Sequence, residues 1–170
     1  IIYAGSSPAG RDFSAQHADF NFLSINTFEQ AAEMVKDIKN RASDYGRRCG
    51  TMSYGLICCR DTESEAKALY KNIVDNGDWG ATNTIIELML GENYSYGDNK
   101  DAIKAMGERF IAGWGSYPLV GTPEQVVEEM VEISNLGIEG YIVSWLDYHQ
   151  EMEYFGKKVL PLMKEAGLRV

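Results

Sequence analysis

The chain has 170 residues, 45% hydrophobic and 24% charged, a composition that suits one globular domain with a sizeable core and excludes a disordered or fibrous protein. Its 25 acids against 16 bases give a formal net charge of −9, which argues against a nucleic-acid groove because a polyanion would be repelled over most of the surface. No apolar run approaches the length of a membrane-spanning helix and no basic, then apolar leader opens the chain, so the expectation is a cytoplasmic protein with neither nucleic acid nor membrane as partner.

The opening, Ile1-Ile2-Tyr3-Ala4-Gly5-Ser6-Ser7-Pro8-Ala9-Gly10, reads as an apolar strand running into a small-residue turn and then a helix start. Ser7 has the chemistry of an N-cap. Pro8 suits the first helical position because it lacks a donor, and the amides of Ala9 and Gly10 then point out of the helix end. A phosphate fits such an end, although a helix cap alone accounts for the same residues.

Further strand-like runs follow at Ala18 to Ile25, Met52 to Cys59 and Gly140 to Leu146. Between them, three helices announce themselves by a Thr with Gln or Glu three residues on, at Thr27, Thr62 and Thr122, the pattern of reciprocal capping. Apolar residues then recur at helical spacing, as in Ala31, Met34, Val35 and Ile38, so each helix has one face to bury. Alternating strands and helices predict right-handed crossovers and a parallel sheet covered by helices, as in a barrel or a doubly wound sheet.

From about residue 76 to 117 the alternation breaks, with helical pieces around Thr84 to Leu90 and Lys100 to Ile111. This stretch reads as an insertion. Its aromatics Trp79, Tyr94, Tyr96 and Trp114 either line a substrate entrance or pack the insertion onto the rest of the molecule.

Cys49, Cys58 and Cys59 form neither an even framework nor a C-x-x-C pair, so reduced thiols are expected. With only His17 and His149 to join them, no metal site is expected.

Three segments carry a resemblance. The turn Ala4-Gly5-Ser6-Ser7-Pro8-Ala9-Gly10 with Phe13-Ser14-Ala15-Gln16-His17-Ala18-Asp19, the run Val120-Gly121-Thr122-Pro123-Glu124-Gln125-Val126, and Phe155-Gly156-Lys157-Lys158-Val159-Leu160-Pro161-Leu162-Met163 together resemble the luciferase-like flavin monooxygenases. The Ser14 to Phe22 run is similar to the pyrimidine branch. Asp147-Tyr148 and Pro161-Leu162-Met163 are equally similar to the sulfone and alkanesulfonate branch.

The resemblance implies a (β/α)8 TIM barrel of which residues 1–170 form the C-terminal half, four βα units plus the insertion, since a complete barrel takes about 250 residues. It implies an enzyme that uses reduced FMN, supplied by a separate flavin reductase, and O2 to oxygenate a small sulfonate, sulfone or pyrimidine. Half a barrel leaves two open strand edges and an apolar face, so a homo-oligomer, or a longer chain that covers them, is expected. Alternatives are a flavin- or F420-binding barrel without oxygenase activity and a half-barrel interaction module. Carried over residue by residue, Ser7 matches the family's FMN-phosphate serine, and Ala4, Gly5 and Ser6 match the turn whose backbone approaches the cofactor. Tyr54 is expected to face the lumen, and Trp145 and Asp147 to sit at the rim of the last strand, the catalytic end of such barrels. No catalytic residue is assigned, because those of the family fall in the missing first half, and this piece alone is expected to be inactive.

Overall fold

The computed structural model describes residues 1–90 and 100–169, with the backbone alone for Leu90 and Lys100. Five strands and seven helices are described: β1 (Ile2–Tyr3), α1 (Pro8–His17), β2 (Phe20–Phe22), α2 (Phe28–Asp44), β3 (Gly50–Cys59), α3 (Glu63–Asp75), α4 (Trp79–Leu90), α5 (Lys100–Gly113), β4 (Leu119–Gly121), α6 (Pro123–Asn135), β5 (Gly140–Ser144) and α7 (Tyr148–Glu165).

Every strand pairing is parallel. β1 lies on β2, β2 on the start of β3, and β3 then carries β5 along Met52 to Leu56 and β4 along Ile57 to Cys59. The four expected strands are thus present, and the sheet gains β4 from the Val120-Gly121 segment. Only three residues long, β4 was too short for a period-two pattern to announce it.

The capping residues set the helix starts where the sequence placed them. Thr27 accepts from the Gln30 amide, Thr62 from the Glu65 amide, and Thr122 closes a full capping box with Gln125. Each such cap contributes about 1 kcal/mol. Within the 76–117 region, α4 begins at Trp79 rather than near Thr84, because the Asp78 carboxylate accepts from the Ala81 amide at 2.9 Å and supplies a start upstream.

One core joins the sheet to its helices. Ile57, Cys59 and Leu119 from the strands are buried among Ala31, Val35 and Ile38 of α2 and Val126 and Met130 of α6. A fully buried aliphatic side chain contributes about 1.5–3 kcal/mol, so α2 and α6 are held chiefly by these faces. A smaller cluster under α5 holds Leu56, Cys58 and Ala112. All three cysteines are free and buried.

The two faces of the sheet differ. Asn21 points to the helix side, where it reaches Ser14 of α1. Phe22, next along β2, points the other way and stacks on Tyr54 of β3 with ring centroids 5.1 Å apart. Tyr54 is the register partner of Ile142, which is 48% exposed, so this second face is open over β5.

Candidate cofactor and substrate site

The turn after β1 is built from close backbone packing. A Cβ on Gly5 would stand 2.8 Å from the Cα of Gly10, closer than real Cβ contacts come, so only two glycines let the turn lie on the first turn of α1. Asn21, fully buried, braces it by donating to the Gly5 carbonyl at 3.1 Å and to Ser14 Oγ at 2.7 Å. Its Oδ1 is buried without a partner among the described residues.

Ser7 caps α1. Its Oγ accepts from the Gly10 amide at 3.1 Å, and its carbonyl accepts from the Arg11 amide at 2.8 Å. Pro8 has no donor, which leaves the Ala9 amide and the Ser7 hydroxyl proton at an exposed helix end. The positive end of the helix dipole points the same way. These residues fit a phosphate group: a glycine-only approach, a hydroxyl and an outward amide.

Ser6 connects this turn to a cavity of about 630 Å3. Tyr54 and Arg109 line it, with Phe110 and Trp114 from the end of α5 and Met89 from α4. Tyr54 donates its hydroxyl to the Trp114 carbonyl at 2.7 Å. Arg109 is anchored by Nη1, which donates to the Ile25 and Asn26 carbonyls at 3.0 and 3.1 Å, and its guanidinium lies 5.2 Å from the Tyr117 ring centroid. Behind it, Tyr117 donates to Glu129 at 2.6 Å; burial, reinforced by that hydrogen bond, pushes the Tyr117 hydroxyl well above the ordinary phenol value.

The structure therefore brings Ser6 and Tyr54 onto one cavity, with Ala4, Gly5 and Ser7 in the adjoining turn. It does not bring Trp145 and Asp147 there. Asp147 is the N-cap of α7, accepting from the His149 and Gln150 amides at 3.0 and 3.3 Å, while its own amide donates to Glu151 at 2.9 Å. Trp145 packs edge-on to Tyr148 and Phe155, each at 5.5 Å.

Of the aromatics between α3 and β4, Trp114 lines the cavity, while Trp79 donates to the Val74 carbonyl and packs against Gly107. Tyr94 and Tyr96 lie outside the described residues. Sequence reasoning missed Arg109, Ser24 and Asn26, since their convergence depends on how α5 lies over the loop after β2. A second cavity, of about 380 Å3, lies between β5, α6 and α7 and shares no residue with the first. Among the described residues no cluster of metal-ligating side chains occurs.

A parallel sheet whose first strand runs into a glycine-built helix end beside a cavity is an α/β arrangement whose helix end has room and donors for an anion. Comparison with known proteins narrows it. The profile of the luciferase-like monooxygenase family matches residues 1–140, and the chain belongs to that family.

The chain is similar to the FMNH2-dependent dimethylsulfone monooxygenase of Pseudomonas fluorescens (strain Pf0-1), 30% identical over 97% of this chain and 46% of that protein. It is similar also to the pyrimidine monooxygenase RutA of Acinetobacter baylyi, 30% identical over 96% of this chain and 45% of that one. Among solved structures, long-chain alkane monooxygenase (LadA) superposes with a TM-score of 0.81 at 24% identity, over 100% of this chain and 42% of its own. The fold is thus that of the luciferase-like barrel monooxygenases. The chain spans about half the length of the relatives it matches.

Proposed function

We propose that residues 1–170 are the C-terminal half of a reduced-FMN-dependent monooxygenase that uses O2 to oxygenate a small sulfonate, sulfone or pyrimidine, with the 76–117 region as an insertion in one barrel domain. The observation that carries this reading is the continuity of the Ser7 helix end with the cavity through Ser6. In it, the Ser7 hydroxyl and the Ala9 amide bind the FMN phosphate, and Ala4, Gly5 and Ser6 supply the small backbone that lets the cofactor approach. Reduced FMN, delivered by a flavin reductase, supplies the electrons that activate O2.

This chain's own residues bind and orient. Gly5 and Gly10 fix where the phosphate stands, Tyr54 walls the cavity, and the α5 end shields it from water. Trp145 and Asp147, offered by position on the rim, act through α7 by fixing its start.

The test is oxygen uptake by the full-length protein with NADH and a flavin reductase, in the presence of uracil, dimethyl sulfone or sulfoquinovose in turn. Uptake coupled to loss of one substrate supports the reading. Uptake that only tracks uncoupled flavin oxidation for all three, with no flavin bound by the protein, contradicts it.

A further inference from the structure

Asn21 is a polar side chain set in the core. It sits in the middle of β2 with no exposed surface, between the half-buried Phe20 and Phe22, and reaches into the side of the sheet that α1 covers. Its amide donates twice there, to the Gly5 carbonyl at 3.1 Å and to Ser14 Oγ at 2.7 Å, while Oδ1 is buried with no partner among the described residues. Gly5 sets the orientation: a carbonyl only accepts, so Nδ2 and not Oδ1 must face it. An orphaned buried acceptor costs stability, and local rules of this kind are broken where a site needs the residue.

What the amide holds is the turn that ends β1. A trans peptide is planar, with its C=O and N–H on opposite sides, and no peptide bond among the described residues is cis. Holding the Gly5 carbonyl toward Asn21 therefore turns the Ser6 amide away from it. Ser6 is exposed, and its amide has no hydrogen-bond partner among the described residues. The other bond of Asn21 ends on Ser14, one helical turn beyond Gly10, so a single side chain ties the turn to the helix it leads into.

We propose that Asn21 is a positioning residue of the phosphate site: it aims the Ser6 amide outward as a further donor, joining the Ser7 hydroxyl and the Ala9 amide. Fully buried, it touches no ligand itself. The role rests on the FMN reading above. The residue type follows from the number of donors: leucine fills a similar volume with none, and serine has one where two are used.

The experiment titrates FMN and riboflavin, which lacks the phosphate, into the full-length parent, Asn21→Leu and the double variant Asn21→Leu/Ser14→Ala, with flavin-free melting of each. Asn21→Leu orphans the Gly5 carbonyl and Ser14 Oγ and is expected to melt below the parent. Ser14→Ala then removes one orphan, so the double variant is expected to melt above Asn21→Leu. The parent is expected to prefer FMN to riboflavin. In both variants that preference should fall about tenfold or more, the loss of one hydrogen bond to a charged phosphate, with riboflavin affinity unchanged.

A parental preference for FMN in Asn21→Leu overturns the proposal. So do FMN and riboflavin affinities that fall together, or a preference that recovers with the melting temperature in the double variant, since Asn21 would then serve packing alone. If Asn21→Leu does not fold, the double variant decides by the same ratio. A parent that binds FMN no more tightly than riboflavin contradicts the phosphate reading and this proposal with it. A parent that discriminates, with variants that discriminate equally, sinks the proposal and leaves that reading standing.

Discussion

Gly10 stands so close to Gly5 that a Cβ on Gly10 would lie 2.9 Å from the Gly5 Cα and 3.0 Å from its carbonyl carbon. The turn and the helix end are thus one rigid piece, and the outward amide of Ala9 is aimed by backbone contact rather than by a side chain. Alanine at Gly10 gains about 1 kcal/mol of helix propensity. Forcing a methyl into backbone costs about 1–3 kcal/mol, and here no flexible side chain can give way. Gly10→Ala is expected to lower the melting temperature by a few degrees and to weaken FMN binding. Calorimetry paired with flavin titration checks both, and a stabilised variant with parental affinity contradicts the packing argument.

The buried thiols make an alkaline prediction. Desolvation pushes Cys58 and Cys59 up to about 12 from an ordinary 9.0. A folded value above the unfolded one means that the unfolded chain releases protons first as pH rises. Stability from these groups is complete below pH 9 and is lost progressively between pH 9 and about 12. Parent and Cys58→Ala proteins should show melting curves that converge toward alkaline pH. The native thiols should also resist a disulfide reagent at pH 8 until the protein unfolds, and rapid labelling in the folded state would contradict their burial.

Asp147 gives the opposite kind of test. Its carboxylate holds two amides of the first turn of α7, so Asp147→Ala should lose about 1 kcal/mol of stability. Asp147→Asn, which keeps an accepting oxygen, should lose a few tenths. Neither is expected to change FMN affinity. A pair of variants with parental melting but abolished substrate turnover would instead make Asp147 a residue of the chemistry.

Much of the architecture was legible because it rests on local signals. Thr27, Thr62 and Thr122 mark helix starts through hydrogen bonds that close within three residues, and Ser7-Pro8 marks another for the same reason. The strands carrying Tyr54 and Tyr141 were visible as apolar runs. β4 was not, since three residues take their strand state from pairing with Ile57 to Cys59 rather than from their own pattern.

The site was half legible. Ser6 and Ser7 belong to a contiguous motif, and Tyr54 was offered only through the family resemblance of the strand that carries it. Arg109 and Trp114 come together with them only through the packing of α5, a long-range contact that no window of sequence encodes. Asp147 follows the end of β5, and its side chain is consumed by the helix it starts.

The role of Ser7 at the FMN phosphate is measured by one comparison: FMN titration and flavin-free melting of full-length parent and Ser7→Ala. Losing the cap costs about 1 kcal/mol and lowers the melting temperature without flavin. Losing a hydrogen bond to a charged phosphate costs about 1.5–3 kcal/mol, equivalent to roughly 10- to 150-fold in affinity. Both effects are expected, the second visible only in the titration. A Ser7→Ala protein that melts earlier yet binds FMN as tightly as the parent would show that Ser7 is a helix cap and nothing more.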